Sequence, residues 1–352
     1  MNKPNIALLC GGESSECKVS IDSSLNVINY IDREKFNPYL VFVGKTEWYA
    51  LTTPDYQKLT SDEVIGSIPR QEVPYEDVQR YDLPVANLDM TSFSIKHNGE
   101  NIKFDKALIM IHGTPGENGL VQGYLELKKI PYFSCSSYVS AITFDKHACK
   151  RFLDFAGVKM AKDIFLRKDS NFSKREIIRQ IGFPMFIKPT VGGSSFGVTK
   201  VKCEEDIDAA LENAFKECDT ILAEEAISGR EMTCGVFKLH DTTTKLPITE
   251  IVTKREFFDY QAKYLGESDE VCPAQISDSL SAKIQNLSEH IYKYMGCSGV
   301  IRIDYIVTPE EDIYFLEVNT IPGMTKMSLV PRMLRIANID LKELLTSFLE
   351  NC

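Results

Sequence analysis

The sequence predicts an α/β protein, and three observations predict it. The N-terminus reads strand, glycine loop, helix, strand, the βαβ order that implies a parallel sheet. Helical and strand periodicities then alternate to about residue 217. From about residue 220 strands dominate, and they include a hairpin rich in charged side chains. The 352 residues suffice for two or three domains, and three α/β units packed closely together are expected.

In order, Ile6–Cys10 is an apolar strand and Gly11–Glu16 a polar loop. Ile21, Leu25, Ile28 and Ile31 then recur at helical spacing, and Tyr39–Val43 is a second buried strand. Residues 45–100 contain Pro54, Pro69, Pro74 and Pro84 without a long period, and read as an excursion within the first unit. Lys106–His112 is a strand that runs into Gly113, followed by a helix from Leu120 to Lys129. A second unit begins near Ser134. Its helix at 146–156 carries Cys149, Phe152, Leu153 and Ala156 on one face. Phe183–Pro189 and Val198–Val201 are strands joined by a glycine-serine loop, and 205–217 is a helix with Ile207, Ala210, Leu211, Ala214 and Phe215 on one side. Strands follow at 220–226, 231–237, 247–252, 299–307 and 313–318, with helices at 277–295 and 340–350. The expected divisions are 1–133, 134–228 and 229–352.

Composition narrows the function. A net charge of −10 lacks the basic footprint of a nucleic-acid binder. No apolar run is long enough to span a membrane, and no secretory signal is evident. The ten cysteines are scattered without CxxC spacing or a Cys–His cluster, as expected for reduced thiols in a cytoplasmic protein.

Two segments carry chemistry. Ile301–Val307 and Tyr314–Asn319 each alternate and flank Thr308–Asp312, a turn-forming stretch, so they read as an antiparallel hairpin. With Val307 set opposite Tyr314, Asp304 faces Glu317 and Arg302 faces Asn319, all on one side of the pair. Directly opposed carboxylates repel, and a divalent cation between them removes the penalty. Hard oxygen donors favour magnesium or manganese over zinc. A solvated strand face, or a carboxylate paired with Arg302, fits the same pattern. Separately, Thr190–Gly197 (Thr-Val-Gly-Gly-Ser-Ser-Phe-Gly) follows Lys188-Pro189. Successive N–H groups of such a loop can cradle a phosphate, although a hairpin loop without ligand has the same composition. It lacks the Gly-Lys-Ser/Thr ending of a Walker A loop.

These pieces together resemble the ATP-grasp superfamily and, within it, the D-alanine–D-alanine ligases. The ordered strings that carry the resemblance are Gly11-Gly12-Glu13-Ser14-Ser15-Glu16, His112-Gly113 with Gly116–Gly119, Asp145-Lys146, Lys188-Pro189 and Gly193–Gly197. They continue with Phe258–Tyr264, Cys272-Pro273-Ala274, Arg302-Ile303-Asp304 and Glu317–Thr325. The match spans nearly the whole chain and is weakest across 45–100.

The resemblance implies three domains, the first Rossmann-like, with ATP held between the central and C-terminal ones. It implies ligation of two D-alanines through an acyl phosphate, for peptidoglycan precursor synthesis, by a cytoplasmic homodimer. It places Lys146, Lys188 and Lys263 on the ATP phosphates, Glu224, Glu225 and Ile227 at the adenine and Glu231 at the ribose. Asp304, Glu317 and Asn319 would bind two Mg2+ or Mn2+. Glu16 would hold the first D-alanine's ammonium, with His112 also on the substrate side. Arg302 and the Gly323 amide would face the oxyanion, and Ser328 and Leu329 the second carboxylate. Ser194 and Tyr264 would join Glu16 in a hydrogen-bonded set that closes a lid within 254–272. Two positions depart from the family pattern: Glu225 stands where a lysine is frequent, and Cys17-Lys18 replaces a more usual charged pair. The rival readings are a D-alanine–D-lactate ligase, another ATP-grasp carboxylate–amine ligase, and a non-catalytic nucleotide-binding regulator.

Overall fold

The computed structural model describes residues 3–53, 55–193, 195–253 and 268–352. The βαβ opening is formed by β1 (Asn5–Gly11), α1 (Cys17–Ile28) and β2 (Asn37–Val43). Strand β1 pairs in parallel with β2 on one side and with β7 (Lys106–Ile109) on the other, and β7 pairs in parallel with β8 (Tyr132–Phe133). The excursion between β2 and β7 supplies β3 (Trp48–Leu51), α2 (Ser61–Ser67), β4 (Val85–Asp89), β5 (Ser94–His97) and β6 (Glu100–Lys103). Its strands extend the sheet antiparallel, in the order β6-β5-β4-β3-β2-β1-β7-β8. The parallel sheet expected from the opening is therefore only half the sheet. These strands are only four or five residues long, and all four prolines fall in the sequence between β3 and β4, so no long period emerges.

The next segment holds α3 (Leu120–Lys128), α4 (Ser137–Phe144) and α5 (Lys146–Asp154). Helix α5 starts where the Asp145 carboxylate accepts the Ala148 N–H at 2.9 Å, an N-cap. A second sheet, wholly antiparallel, follows the order β11-β10-β12-β9. Its strands are β9 (Asp163–Arg167), β10 (Met185–Pro189), β11 (Thr199–Val201) and β12 (Thr220–Glu225), backed by α6 (Lys174–Ile181) and α7 (Ile207–Glu217). Met185, Ile187, Ile207, Ala210, Ala214 and Ile221 fill its core.

The third sheet is also antiparallel. It contains β13 (Arg230–Leu239), β14 (Thr242–Lys245), β15 (Thr249–Thr253), β16 (Ser268–Val271), β17 (Val300–Val307) and β18 (Ile313–Asn319). Helix α8 (Asp278–Met295) covers one face, capped by Ser277 at its start and by left-handed Gly296 at its end. Its core takes in Val139, Cys149 and Leu153 from α4 and α5. Those two helices thus pack on the C-terminal sheet, although they lie within 134–228. Two last helices, α9 (Leu329–Ile336) and α10 (Leu341–Asn351), return to the first sheet. Phe348 stacks on Phe133 there, with ring centroids 3.6 Å apart.

The ten cysteines are free thiols. Six are buried, Cys218, Cys272 and Cys352 are partly covered, and Cys203 is exposed. Among the described residues, no helix is long and apolar enough to cross a membrane.

Candidate functional site

Strand β17 alternates strictly. Ile301, Ile303, Tyr305 and Val307 enter the core, and Arg302 and Asp304 take the other face. Strand β18 does not alternate. Phe315 and Val318 are both buried, three residues apart, because a bulge beside Asp304–Tyr305 inserts one extra residue. Val307 therefore pairs with Ile313, not with Tyr314 as the unbulged register predicts. Beyond the bulge the offset returns to the expected one: Asp304 opposes Glu317 and Arg302 opposes Asn319.

On that face Arg302 donates to both oxygens of Asp304, at 2.9 Å from Nε and 2.8 Å from the terminal nitrogen. Asn319 Nδ2 donates to Asp304 Oδ2 at 3.0 Å, and Thr233 Oγ1 from β13 donates to Oδ1 at 2.5 Å. Burial opposes the guanidinium charge, but Asp304, Glu317 and Glu117 outweigh it and hold its pKa above the ordinary arginine value. The carboxylate–arginine pairing and the matched carboxylates, two readings left open by the sequence, occur together. Among the described residues no three His, Cys, Asp or Glu side chains form a metal-type cluster. The set here is two carboxylates and an amide, hard oxygen donors that suit magnesium or manganese. Because Asn319 turns its Nδ2 to Asp304, its amide oxygen points away from that carboxylate.

Two cavities meet at this face. The smaller, of about 340 Å³, is walled by Glu16, His112, Lys146, Arg302, Glu317, Asn319, Gly323, Ser328 and Leu329. The larger, of about 610 Å³, is walled by Lys146, Lys188, Glu224, Glu225, Ile227, Glu231, Asp304 and Glu317. Both sizes fall in the range of small-molecule sites. Lys146, Gly192, Gly193 and Glu317 belong to both walls. Every sequence-predicted site residue that is described lines one cavity or the other. Ser194, Lys263 and Tyr264, and most of the expected lid, lie outside the described residues.

The local folding explains these positions. The glycine-serine loop joins antiparallel β10 and β11. Lys146, at the start of α5, donates from Nζ to Gly192 O at 2.8 Å. A Cβ on Gly193 would stand 3.0 Å from Glu16 Oε2, so a glycine lets the loop come this close to the Glu16 carboxylate. Strand β7 ends at Ile109, not at His112 as expected; His112, three residues beyond, links to the 320–324 loop, with Nδ1 2.9 Å from Ile321 O and Nε2 3.4 Å from Ser23 Oγ. Burial, opposed by the Glu16 carboxylate, holds its imidazole below the ordinary pKa. Ser328 stands at the N-terminus of α9, its Oγ accepting the Thr325 N–H at 3.0 Å. Ser328 and Leu329 line the smaller cavity at this helix start.

Two predicted adenine contacts are already engaged. The Glu225 carboxylate accepts the Lys162 N–H at 2.8 Å, and its own N–H goes to the Lys162 carbonyl at 3.0 Å. Its side chain is thus used by the fold, whatever residue type is frequent there. The Glu224 carboxylate is bonded by Lys188 at 2.7 Å and by Lys150 at 2.5 Å.

Sequence reasoning gave no role to Glu117, Lys150 or Thr233. Glu117 lies in the Gly116–Gly119 string, but only the fold brings it near Glu16 and Arg302. Lys150 left a usable trace, a lysine one turn before Leu153 on the buried stripe of α5. Glu117 accepts the Gly113 N–H at 2.7 Å. Its carboxyl, ordinarily at 4.5, is pushed up to about 8 by burial first and the neighbouring Glu16 second. The folded chain then keeps a proton that the unfolded chain releases above about pH 4.5. That contribution to stability is complete below pH 4.5 and is lost as pH rises through about 8. The expected result is a metal-free protein whose Tm falls between pH 5.5 and 8.5, and a Glu117→Gln variant whose Tm falls less. Parallel Tm curves would refute this.

The comparisons agree with the geometry. Residues 5–135 match the family model described as D-ala D-ala ligase N-terminus, and residues 152–350 match D-ala D-ala ligase C-terminus. The chain is 43% identical over 349 residues to the D-alanine–D-alanine ligase of Phocaeicola vulgatus, covering 99% of each. It is 38% identical to that of Porphyromonas gingivalis, covering 100% of this chain and 98% of that one. The structure superposes on the VanG D-Ala:D-Ser ligase of Enterococcus faecalis with a TM-score of 0.83, 30% identity and 99% coverage of both. It matches D-alanyl-alanine synthetase A of Vibrio cholerae with a TM-score of 0.83 and 27% identity, over 100% of this chain and 98% of that one. With both halves matched over almost their full length, the chain belongs to the D-alanine–D-alanine ligase family of ATP-dependent ligases.

Proposed function

We propose that this protein joins two D-alanines into D-alanyl-D-alanine for peptidoglycan synthesis, converting ATP to ADP and phosphate by way of D-alanyl phosphate. The observation that carries the reading is the junction of the two cavities at Arg302, Asp304, Glu317 and Asn319. The larger cavity suits a nucleotide and the smaller one two amino acids, so a γ-phosphate and a carboxylate would meet at the hairpin face. The ATP-grasp arrangement in three domains, near 1–133, 134–228 and 229–352, is supported by the three separate sheets.

A carboxylate is a poor acyl donor, and phosphorylation activates it. Lys146 and Lys188, with the amides of the glycine-serine loop, hold the phosphates; Ile227 and the backbone around Glu224 and Glu225 border the adenine, and Glu231 the ribose. Glu16 takes the ammonium of the first D-alanine, beside His112. Arg302 and the Gly323 N–H face the oxyanion that forms when the second amine attacks. Ser328 and the first N–H groups of α9, near Leu329, receive the second carboxylate, as helix N-termini do. Asp304, Glu317 and Asn319 would hold two magnesium or manganese ions, which neutralise phosphate charge. Ser194, Lys263 and Tyr264 complete the proposed set as a closure that shields the acyl phosphate from water. We further propose a cytoplasmic homodimer.

The test is phosphate release from ATP. Release that needs both D-alanine and magnesium, with a D-alanyl-D-alanine product, is expected. Equal turnover with L-alanine, or none with D-alanine, would refute the reading. D-Serine and D-lactate as second substrates separate this activity from that named for the VanG relative and from depsipeptide synthesis.

A further inference from the structure

Glu224 is a buried carboxylate with two ammonium partners on opposite oxygens. Lys188 Nζ lies 2.7 Å from Oε1 and Lys150 Nζ 2.5 Å from Oε2. The two lysines differ in setting. Lys188 stands on the wall of the larger cavity with Glu224. Lys150 lines neither cavity, is 3% exposed, and is fixed by two further acceptors, Ala161 O at 2.8 Å and Asp163 Oδ1 at 2.9 Å. Asp163 is itself held by Arg151 at 2.7 Å. The network joins α5, β9, β10 and β12, and of these α5, β10 and β12 line the larger cavity.

A buried carboxylate stripped of its only counter-ion is strongly destabilised. With one lysine, Glu224 would bind Lys188 too tightly for phosphate to draw it away. With two, Lys188 can turn to an incoming phosphate while Glu224 stays neutralised. Burial raises the Glu224 carboxyl, but Lys188 and Lys150 outweigh it and keep the group ionised.

We propose that Lys150 is a positioning residue for the nucleotide: it retains Glu224 as a fixed carboxylate and thereby frees Lys188 for the phosphates. The inference rests on the nucleotide reading of the larger cavity. It assigns Lys150 no contact with ATP. Arg151 and Asp163 serve only to fix the far side of Lys150.

The test measures Mg-ADP affinity by calorimetry alongside steady-state kinetics. Mg-ADP binding to the unaltered protein comes first, and its failure would overturn the nucleotide reading itself. Given that binding, Lys150→Met should weaken Mg-ADP and raise the KM for ATP by roughly 10- to 100-fold, the scale seen when a supporting hydrogen-bond partner is removed from a ligand site. The KM for D-alanine should stay within about twofold, as for an uncoupled site. In a Glu224→Gln background the same substitution should change Mg-ADP affinity by less than about twofold, because its effect passes through Glu224. Unchanged affinity in a folded Lys150→Met protein, or equal losses for ATP and D-alanine, would overturn the proposal. Should that variant fail to fold, lysine side-chain NMR of the unaltered protein decides. On adding Mg-ADP the Lys188 ammonium signal should shift and that of Lys150 remain; the reverse, or no change in either, would overturn it.

Discussion

Glu317→Gln should lower turnover by about three orders of magnitude while leaving the fold intact or slightly more stable. The two effects have opposite signs for one reason. Asp304 and Glu317 are register partners, and like charges directly opposed in a sheet cost roughly 0.2–1 kcal/mol. Arg302 offsets part of this by bonding Asp304. Removing the Glu317 charge relieves the remainder, so Tm should hold or rise. The same substitution deletes a hard oxygen anion at the place where phosphate charge must be neutralised. Such stabilisation is worth several kcal/mol, and about 4 kcal/mol corresponds to roughly 10³ in rate. Steady-state kinetics and a thermal melt check both halves. Near-normal turnover would remove the metal assignment from this hairpin.

Arg302 should behave differently, losing stability and activity together. Its side chain is 15% exposed and its partner Asp304 5%. Arg302→Met leaves Asp304 buried with Thr233 and Asn319 as uncharged donors, and leaves Glu317 and Glu117 without the cation between them. Breaking a buried pair from one side costs about 3–5 kcal/mol. Loss of a donor aimed at an oxyanion costs about 10²–10³ in kcat. Arg302→Lys separates the two. A lysine restores the charge, so most of the stability should return. It lacks the planar fork that bonds both Asp304 oxygens, so kcat should stay low. Recovery of kcat with lysine would show that charge alone is needed.

Two parts of the site were legible from local residues alone, and the rest was named through the resemblance to the ligase family. Hairpin alternation placed Asp304 and Glu317 together, and glycine-serine composition marked the loop beside Glu16. The bulge near Asp304 was not legible. Phe315 and Val318 are both apolar, and alternation around Leu316 looks unbroken until the core shows both facing inward. Composition across 45–100 likewise concealed four strands, because short antiparallel strands draw their stability from neighbours distant in sequence.

The sequence by itself determined the α/β class and the hairpin register at Asp304–Glu317 and Arg302–Asn319. Those features depend on period-two alternation and charge placement, properties of a few adjacent residues; the other residues on the two cavity walls were named only through the resemblance to the ligase family. The tertiary structure alone decided which charges are spent on one another. Glu224 is shared by Lys150 and Lys188, Glu225 is turned to the Lys162 backbone, and Glu117 is pressed toward Glu16. Each such pairing spans several elements, and its strength depends on burial and distance, which sequence order does not encode.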